Sequence, residues 1–291
     1  MTSSPRALPI GITLMSGHDG IHPAELARAV EERGFESLWL PEHSHIPTSR
    51  ETPWPGSLSG EPLPDVYHQL LDATVSLSMA AAVTDRIRLG TSVSLVAARD
   101  PIWTAKEYAT LDHLSGGRVE FGIGMGWNRE EYASHGVEFA SRWERAEESV
   151  ALIRTLWRDP VAAYDGDHVS LTPSWAEPKP AQPGGPSVHI GGGWGPRLLD
   201  HVARWADGWM PISARPSLAS RLERLDEACD RVGRDRGDIT VSVFGASTEP
   251  SGLETLASEG VDRAVLTLSS HLRDDVLREL DAWAPLITPG V

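Results

Sequence analysis

The run IRLGTSVSLV, residues 87–96, reads as a buried strand, and DPIWTAKEYATLDHLSGG, residues 100–117, reads as the helix that follows it. Asp100 is a favoured helix-capping residue, and Pro101 suits the first position of a helix. RVEFGIG, residues 118–124, then predicts a second strand. A helix between two strands of one sheet predicts parallel strands joined by a right-handed crossover.

The same alternation of strand and helix extends over the chain in both directions. Eight apolar runs predict strands, at residues 8–14, 35–40, 87–96, 118–124, 188–191, 206–212, 239–244 and 264–268. Eight strand–helix units in 291 residues favour an α/β fold, a closed (β/α)8 TIM barrel that forms one domain over residues 1–291. An open doubly wound sheet predicts a glycine-rich loop after the first strand, whereas Leu14 is followed by Met15-Ser16-Gly17-His18.

Two longer segments predict insertions in the barrel, after the second strand and after the fourth. Residues 42–64 are rich in Pro, Ser and Gly, and a single helix is expected after them over Asp65–Val83. Residues 161–186 interrupt the alternation, and Asp165-Gly166 predicts the turn of a β-hairpin there. Both segments are expected on the surface, where connecting loops lie.

Composition and charge limit the classes of function. Lys and Arg total 26 and Asp and Glu total 41, so the formal net charge is −15. This balance disfavours nucleic acid and anionic membranes as partners. No apolar run has the length of a membrane span or of a signal peptide, so we expect a cytoplasmic protein. Cys229 is the single cysteine, and no Cys or His spacing is typical of a metal site, so no metal is expected.

In a barrel enzyme the chemistry takes place in the loops at the C-terminal ends of the strands, and this rule selects the candidate residues. Glu42 and His43 directly follow the second strand. An imidazole beside a carboxylate can donate or accept a proton near neutral pH. The simpler alternative for this segment is a solvated polar loop.

Small residues follow the third and fourth strands. Thr91-Ser92-Val93 comes directly after Gly90, and residues of this size let the backbone approach a flat ring closely. The alternative is an ordinary strand. Gly124-Met125-Gly126-Trp127 follows the fourth strand. Its glycines either clear space for a large ligand or allow close packing within the barrel.

The strongest candidate joins the fifth strand to a helix and reads Gly191-Gly192-Gly193-Trp194-Gly195-Pro196-Arg197. Successive glycines allow backbone N–H groups to converge, and Pro196 suits the first turn of the helix. The helix dipole favours an anion at this end, and Arg197 adds a full positive charge. The segment predicts a phosphate site, with a flexible turn as the alternative.

Taken together, these segments resemble the luciferase-like family of flavin- and F-420-dependent oxidoreductases. The resemblance runs from the first strand to about Ile212, and more loosely to the C-terminus. Its most specific parts are Arg86–Val93, Leu111–Arg118, Gly122–Asn128, Ile190–Arg197 and Ala206–Trp209. The resemblance implies a barrel oxidoreductase with a flavin-type cofactor, the deazaflavin F-420 rather than FMN.

The resemblance also implies a role for each candidate segment. In the F-420-dependent branch, an acidic residue and a histidine lie beside the deazaflavin, a place that Glu42-His43 occupies here. The branch carries a non-proline cis peptide behind the ring, at the place of Ser92–Val93, and a phosphate loop at the place of Gly191–Gly195. The sugar-phosphate dehydrogenases of this branch have a glutamate where this chain has Trp127-Asn128. Sugar-phosphate oxidation is therefore not expected, and a more apolar pocket is, with Trp54 as a further lining residue.

The expected function is hydride transfer between C5 of the deazaflavin and a small organic substrate, with His43 and Glu42 as catalytic residues. One alternative is an FMN-dependent monooxygenase that uses reduced flavin and oxygen. Another is a non-catalytic protein that binds the cofactor. Because members of the family are commonly dimers, the resemblance also implies a homodimer.

Overall fold

The computed structural model describes residues 8–57, 60–213 and 217–287 of the chain. Eight parallel strands form its centre: β1 (Ile10–Thr13), β2 (Ser37–Leu40), β3 (Arg88–Thr91), β4 (Val119–Ile123), β7 (Ser187–Gly191), β8 (Gly208–Met210), β9 (Thr240–Phe244) and β10 (Arg263–Thr267). They close into a barrel in the order β1-β10-β9-β8-β7-β4-β3-β2. The prediction of a (β/α)8 barrel is confirmed. β2, β3, β4 and β7 are consecutive neighbours, so the loops after these strands adjoin one another.

Helices follow or separate the strands: α1 (Pro23–Glu32), α2 (Val66–Gln69), α3 (Ala73–Ala81), α4 (Pro101–Ser115), α5 (Arg129–Ser134), α6 (Arg142–Arg158), α7 (Pro196–Trp205), α8 (Leu218–Val232), α9 (Pro250–Ser258) and α10 (Arg273–Trp283). The start of α4 is as the sequence predicts, because the Asp100 carboxylate accepts the Trp103 N–H at 2.8 Å. Within the described ranges, no helix combines the length and the apolar character needed to cross a bilayer.

The prediction of one helix over Asp65–Val83 is wrong. The segment forms two helices, α2 and α3, separated by residues 70–72. Leu70 has an extended ψ of 137°, which ends α2. The carboxylate of Asp72 then accepts the N–H of Val75 at 2.8 Å, which starts α3. The capping preference of Asp72 therefore prevails over the helical periodicity.

An antiparallel hairpin lies between α6 and β7. It consists of β5 (Ala162–Asp165) and β6 (Ser170–Ser174), so the turn predicted at Asp165-Gly166 is confirmed. The carboxylate of Glu148 on α6 accepts backbone N–H groups of residues 167, 168 and 169 at the tip of the hairpin. This contact fastens the hairpin to the outside of the barrel.

The inside of the barrel contains a charged group nearer the start of the strands. His189 Nε2 lies 2.5 Å from Glu120 Oε2, and the guanidinium of Arg263 lies 3.4 Å from Glu120 Oε1. Burial by itself raises the pKa of the Glu120 carboxyl, but the His189 hydrogen bond and the charges of Arg263 and Arg88 hold that pKa far below its ordinary value. This group fills one end of the barrel interior with fixed charge.

A tier of apolar side chains separates this charged group from the C-terminal ends of the strands. Its members are Trp39, Met210, Phe244 and Val265, with Val93 packed against them. The Trp39 ring contacts the imidazole of His189 on one side and the ring of Phe244 on another, with centroid distances of 6.2 Å and 5.4 Å. Side chains therefore fill the described barrel interior below Val93, and the predicted site residues lie at its C-terminal mouth.

Candidate active site

The side chain of Val93 packs against the backbone of two neighbouring strands at the mouth of the barrel. A Cβ placed on Gly124 would lie 2.2 Å from Val93 Cγ2, and one placed on Gly191 would lie 2.4 Å from Val93 Cγ1. These two glycines end or follow β4 and β7, so their missing side chains make room for Val93. The sequence left open whether glycines after the fourth strand serve a ligand or packing, and for Gly124 the structure favours packing.

The peptide bond between Ser92 and Val93 is cis, as the family resemblance implied. Ser92 is fixed on both its backbone and its side chain. Its N–H donates to the Leu40 carbonyl at 2.8 Å, and its hydroxyl lies 3.1 Å from the Thr13 hydroxyl. The neighbouring Thr91 is buried, and its hydroxyl donates to the Gly122 carbonyl at 2.7 Å. Thr91 therefore supports the strand pairing beneath the site.

Glu42 lies behind this bend in β3. Its carboxylate accepts the N–H of Leu95 at 3.0 Å and the hydroxyl of Ser94 at 3.3 Å, and it forms an ion pair with Arg99 at 2.7 Å. Burial raises the pKa of the Glu42 carboxyl, and the charge of Arg99 opposes that rise. Glu42 is thus the residue that holds the chain just after Val93.

His43 forms a pair with a glutamate that the sequence reasoning missed. Its Nδ1 lies 2.7 Å from Oε2 of Glu131, whose side chain is 1% exposed, while that of His43 is 8% exposed. Glu131 stands in α5, directly after the predicted Gly124–Trp127 segment. The acidic pair at positions 130 and 131, at the start of a short helix near a candidate site, was the available signal.

Aromatic side chains surround the imidazole of His43. The ring centroids of Tyr67 and Trp127 lie 5.6 Å and 5.8 Å from it. Trp54 extends the group, since its indole N–H donates to the Tyr67 hydroxyl at 3.0 Å. The guanidinium of Arg50 lies 5.4 Å from the Trp127 ring centroid. The structure therefore brings Trp127 and Trp54 together, and adds Tyr67, which sequence reasoning did not select.

The loop that carries Arg50 and Trp54 is fastened to α5 by Glu130. The carboxylate of Glu130 accepts the N–H groups of Glu51 and Thr52 at 2.9 Å and 3.1 Å, and the Thr52 hydroxyl at 2.6 Å. The hydrogen bond from Thr52 is the largest cause that lowers the pKa of this carboxyl to about 2. The two acidic residues of α5 thus hold the loop after β2 at two separate points.

The glycine loop after β7 lies open to solvent. A Cβ on Gly193 or on Gly195 would meet no atom within 4 Å. Two contacts position the loop: the Gly192 N–H donates to the Met210 carbonyl at 3.3 Å, and the Trp209 indole N–H donates to the Gly193 carbonyl at 3.2 Å. Across the described ranges, the N–H groups of residues 193–195 have no acceptor. They stand before α7, which begins at Pro196, as predicted.

Arginines and aromatic rings form a ladder beside this loop. Arg197 lies 5.0 Å from the Trp143 ring centroid and is paired at 2.5 Å with Glu144.

Arg142 lies 3.7 Å from the Phe139 ring centroid, and its Nε donates to the Met125 carbonyl at 2.9 Å. Arg142 therefore fixes the backbone of Met125. Its neighbour Gly126 packs against Tyr132, and a Cβ there would lie 2.4 Å from that ring. Trp194 contributes a different contact, with the Arg224 guanidinium 4.8 Å from its ring.

A cavity of about 550 Å³ adjoins His43 on the side of α4 and α5. Its polar walls include His43, Ser44, Glu131 and His135, and its apolar walls include Leu95 and Trp103. His43 and Glu131 thus form part of the wall of a cavity that lies outside the barrel mouth. Glu42-His43, Ser92–Val93 and the glycine loop thus follow the same ends of neighbouring parallel strands, as predicted.

Comparison with known proteins gives a family match. The model of the family described as luciferase-like monooxygenase matches residues 13–248. An uncharacterized protein of Mycobacterium tuberculosis is 38% identical over 274 residues, covering 94% of this chain and 96% of the relative. The phthiodiolone/phenolphthiodiolone dimycocerosates ketoreductase of M. tuberculosis is 31% identical over 233 residues, covering 77% of this chain and 61% of that protein.

Solved structures share the fold at low sequence identity. Monooxygenase RslO1 from Streptomyces bottropensis superposes with a TM-score of 0.76 at 18% identity, covering 97% of this chain and 99% of that chain. The coenzyme F-420-dependent tetrahydromethanopterin reductase from Methanopyrus kandleri gives 0.70 at 17%, covering 94% and 97%. The FMN complex of a type II Baeyer–Villiger monooxygenase from Pseudomonas putida gives 0.63 at 17%, covering 87% and 72%.

Proposed function

Because the chain belongs to the luciferase-like monooxygenase family of oxidoreductases, we propose that it uses coenzyme F-420 to transfer a hydride to or from a small organic substrate. The observation that carries this proposal is the pairing of His43 with the buried Glu131 at the mouth of the barrel, at 2.7 Å. A histidine fixed in this way serves proton transfer, which accompanies hydride transfer to or from a carbon that bears oxygen.

The residues at the mouth fit a phosphate-bearing ring cofactor. The free N–H groups of residues 193–195 and the start of α7 would bind the phosphate, and Arg197 would add charge to that site. Val93, held by Gly124 and Gly191, would support one face of the ring. Bound F-420 would supply the hydride-carrying carbon. Met125, Gly126 and Trp127, after β4, would border the ring, and Trp194 and Pro196 would shape the phosphate loop.

The tautomer of His43 follows from its contact with Glu131. An ionised carboxylate accepts but does not donate, so Nδ1 carries the proton and Nε2 is left to act as the base. Nε2 has no hydrogen-bond partner among the described residues, and is therefore available to a substrate hydroxyl or carbonyl. We assign Glu42 a positioning role, because its carboxylate is engaged by Leu95, Ser94 and Arg99.

Named relatives support both the reaction class and the cofactor. The ketoreductase relative carries out carbonyl reduction by its name, and the M. kandleri reductase is F-420-dependent by its title. The second candidate is an FMN-dependent monooxygenase, which the FMN complex of the Baeyer–Villiger enzyme favours. The two candidates use the same barrel mouth and differ in whether the bound cofactor reacts with oxygen.

Titration of the apo-protein with each cofactor separates the two candidates. Trp127 and Trp194 both border the proposed site, so binding is expected to change tryptophan fluorescence. The proposal expects saturable quenching by F-420 at lower concentration than by FMN. Tight binding of FMN without binding of F-420 would replace the proposal with the monooxygenase.

A variant tests the role of His43. His43→Gln removes the base, and turnover of F-420 with an accepted substrate is expected to fall by roughly a hundredfold or more, while cofactor affinity changes little. His113→Gln is the matched control, because His113 is exposed on α4. Turnover by His43→Gln at the rate of the unaltered enzyme would remove His43 from the mechanism.

We also propose that the protein is a homodimer. Exposed apolar side chains on α3 and α4, Val75, Met79, Ile102 and Trp103, support this proposal. Burying them against a second copy would remove apolar surface from water. Light scattering after size-exclusion chromatography gives the mass directly, and a single species at the monomer mass would contradict the proposal.

A further inference from the structure

A continuous set of hydrogen-bonding groups leads from His43 to the surface. His43 Nδ1 lies 2.7 Å from Glu131 Oε2. The other oxygen of this carboxylate accepts the Ser44 N–H at 3.1 Å and lies 3.4 Å from the Ser44 hydroxyl. That hydroxyl lies 2.7 Å from His135 Nε2 and 2.9 Å from His45 Nδ1. Each step is therefore short enough for a hydrogen bond.

Burial changes along this set in one direction. The side chains of His43 and Glu131 are 8% and 1% exposed, whereas His135 and His45 are exposed. Ser44 lies between the two groups and contacts Glu131 as well as His135 and His45. All members except His45 line the 550 Å³ cavity. The set thus connects the buried imidazole of His43 to two exposed imidazoles that are in contact with water.

The charged groups near this set pair with one another rather than with Glu131. The Glu131 carboxylate can therefore interact with His43 and Ser44. Glu42 faces the same cavity and forms an ion pair with Arg99, which also pairs with Glu107. Tyr67 and Trp127 pack on His43 without bonding to its nitrogens. No Lys or Arg among the described residues pairs with Glu131. Its charge therefore acts on His43.

We propose that Glu131, Ser44 and His135, with His45 beside it, form a proton relay that exchanges the proton of His43 with solvent during hydride transfer. The inference rests on the proposed function, because only that reaction loads a proton onto His43 at each turnover. A substrate held over His43 shields Nε2 from bulk water. The relay supplies a second path from Nδ1.

The proton balance is as follows for oxidation of an alcohol to a carbonyl compound. Bound F-420 would accept the hydride of the substrate carbon, and His43 Nε2 takes the hydroxyl proton. The Nδ1 proton moves to Glu131 Oε2. The carboxyl group turns about its Cγ–Cδ bond and gives this proton to Ser44, whose own hydroxyl proton moves to His135 Nε2 and then to water.

After this sequence Glu131, Ser44 and His135 hold their original charge. Once the product has left, His43 Nε2 gives its proton to water at the barrel mouth, and Nδ1 takes one proton back from water through Glu131, which restores the first tautomer. One proton has left the site, and reduction of a carbonyl compound runs through the same groups in the opposite direction.

The cofactor-free test measures how fast the Nδ1 proton of His43 exchanges with water, by NMR of protein with nitrogen-15 in its histidines. Ser44→Ala leaves the His43–Glu131 pair in place and interrupts the relay, so exchange is expected to slow by roughly tenfold. Ser134→Ala is the matched control, since Ser134 is an exposed serine of the same helix as Glu131, and among the described residues its hydroxyl bonds only to the Glu130 carbonyl. Equal exchange rates in Ser44→Ala and the unaltered protein would overturn the relay.

The turnover test uses added buffer as a substitute proton carrier. In Ser44→Ala and in the double variant His45→Gln/His135→Gln, kcat is expected to fall by roughly tenfold at low buffer and to recover with added imidazole, with KM unchanged. The unaltered enzyme and Ser134→Ala should not respond to imidazole. A kcat in these variants that equals that of the unaltered enzyme at low buffer would overturn the proposal. An unaltered enzyme that binds no F-420 would refute the proposed function, while the exchange measurement would still decide whether the connection exists.

Discussion

The carboxylate of Glu42 accepts the backbone N–H of Leu95 at 3.0 Å, which ties the end of β2 to the chain immediately after the bend at Ser92–Val93. The same carboxylate pairs with Arg99 at 2.7 Å. One buried side chain thus fixes the distance between the loop that carries His43 and the loop that carries Val93. The site depends on this distance, because the proposed base and the proposed ring support come from different strands.

Removal of this carboxylate is expected to destabilise the protein. Glu42→Ala leaves Arg99 and the Leu95 N–H without their buried acceptor, and we expect the free energy of unfolding to fall by about 3 kcal/mol. The measurement is urea denaturation followed by circular dichroism. Glu107→Ala is the matched control, because Glu107 is the more exposed partner of Arg99 and should cost less than about 1 kcal/mol. Equal losses in the two variants would contradict the assigned role of Glu42.

The packing of Val93 against Gly124 can be tested by a double-mutant cycle. Gly124→Ala places a Cβ at 2.2 Å from Val93 Cγ2, and we expect a loss of about 1–3 kcal/mol in the free energy of unfolding. Combination with Val93→Ala removes the methyl group that is in the way, so the coupling energy of the cycle should exceed about 1 kcal/mol. Gly193→Ala is the control, and its stability should change by less than about 0.5 kcal/mol. Additive effects of the two substitutions would show that Val93 does not occupy this space.

Substitution of Arg197 is expected to weaken F-420 binding, whereas substitution of its partner Glu144 is not. Arg197→Ala removes a charge-assisted contact to the phosphate, worth about 1.5–3 kcal/mol, so the Kd of F-420 should rise by about tenfold to a hundredfold. Glu144→Gln frees Arg197 from a competing carboxylate at 2.5 Å, so the Kd should stay the same or fall. Fluorescence titration measures both. A rise of equal size in the two variants would show that the ion pair, rather than the arginine, is what the site needs.

The charged group inside the barrel, which includes Glu120, can be tested by measuring how the free energy of unfolding changes in acid. The folded state holds the pKa of this carboxyl far below its ordinary value of 4.5, so its stabilisation is present above about pH 4.5 and is lost as the pH falls below that value. A single such group contributes a slope of up to about 1.4 kcal/mol per pH unit. Urea denaturation at several pH values measures this slope.

Two variants separate Glu120 from the other carboxyls. Glu120→Gln is expected to lower stability at neutral pH and to flatten the decline in stability between about pH 4.5 and about pH 3. Glu254→Gln, at an exposed position of α9, should follow the unaltered protein. An identical slope in Glu120→Gln and the unaltered protein would show that the decline comes from other groups.

The order of strands and helices was already present in the sequence, since apolar runs, helix caps and glycines act over a few neighbouring residues. The same local signals placed Glu42-His43 and the Gly191–Arg197 loop at the ends of strands, where a barrel concentrates its chemistry. They did not foresee the break at Asp72, because capping and helical periodicity competed within one short segment and only the folded chain settled which prevailed.

Tertiary structure alone decided the partners. Glu131 lies 88 residues from His43 and meets it only when β2 and β4 lie on either side of β3 in the closed barrel. The role of Gly124 and Gly191 was likewise decided by the tertiary structure. Both lie against the side chain of Val93, which follows β3. Sequence patterns report the conformation of neighbouring residues, whereas contacts between distant strands depend on barrel closure and on side-chain packing, which no single segment encodes.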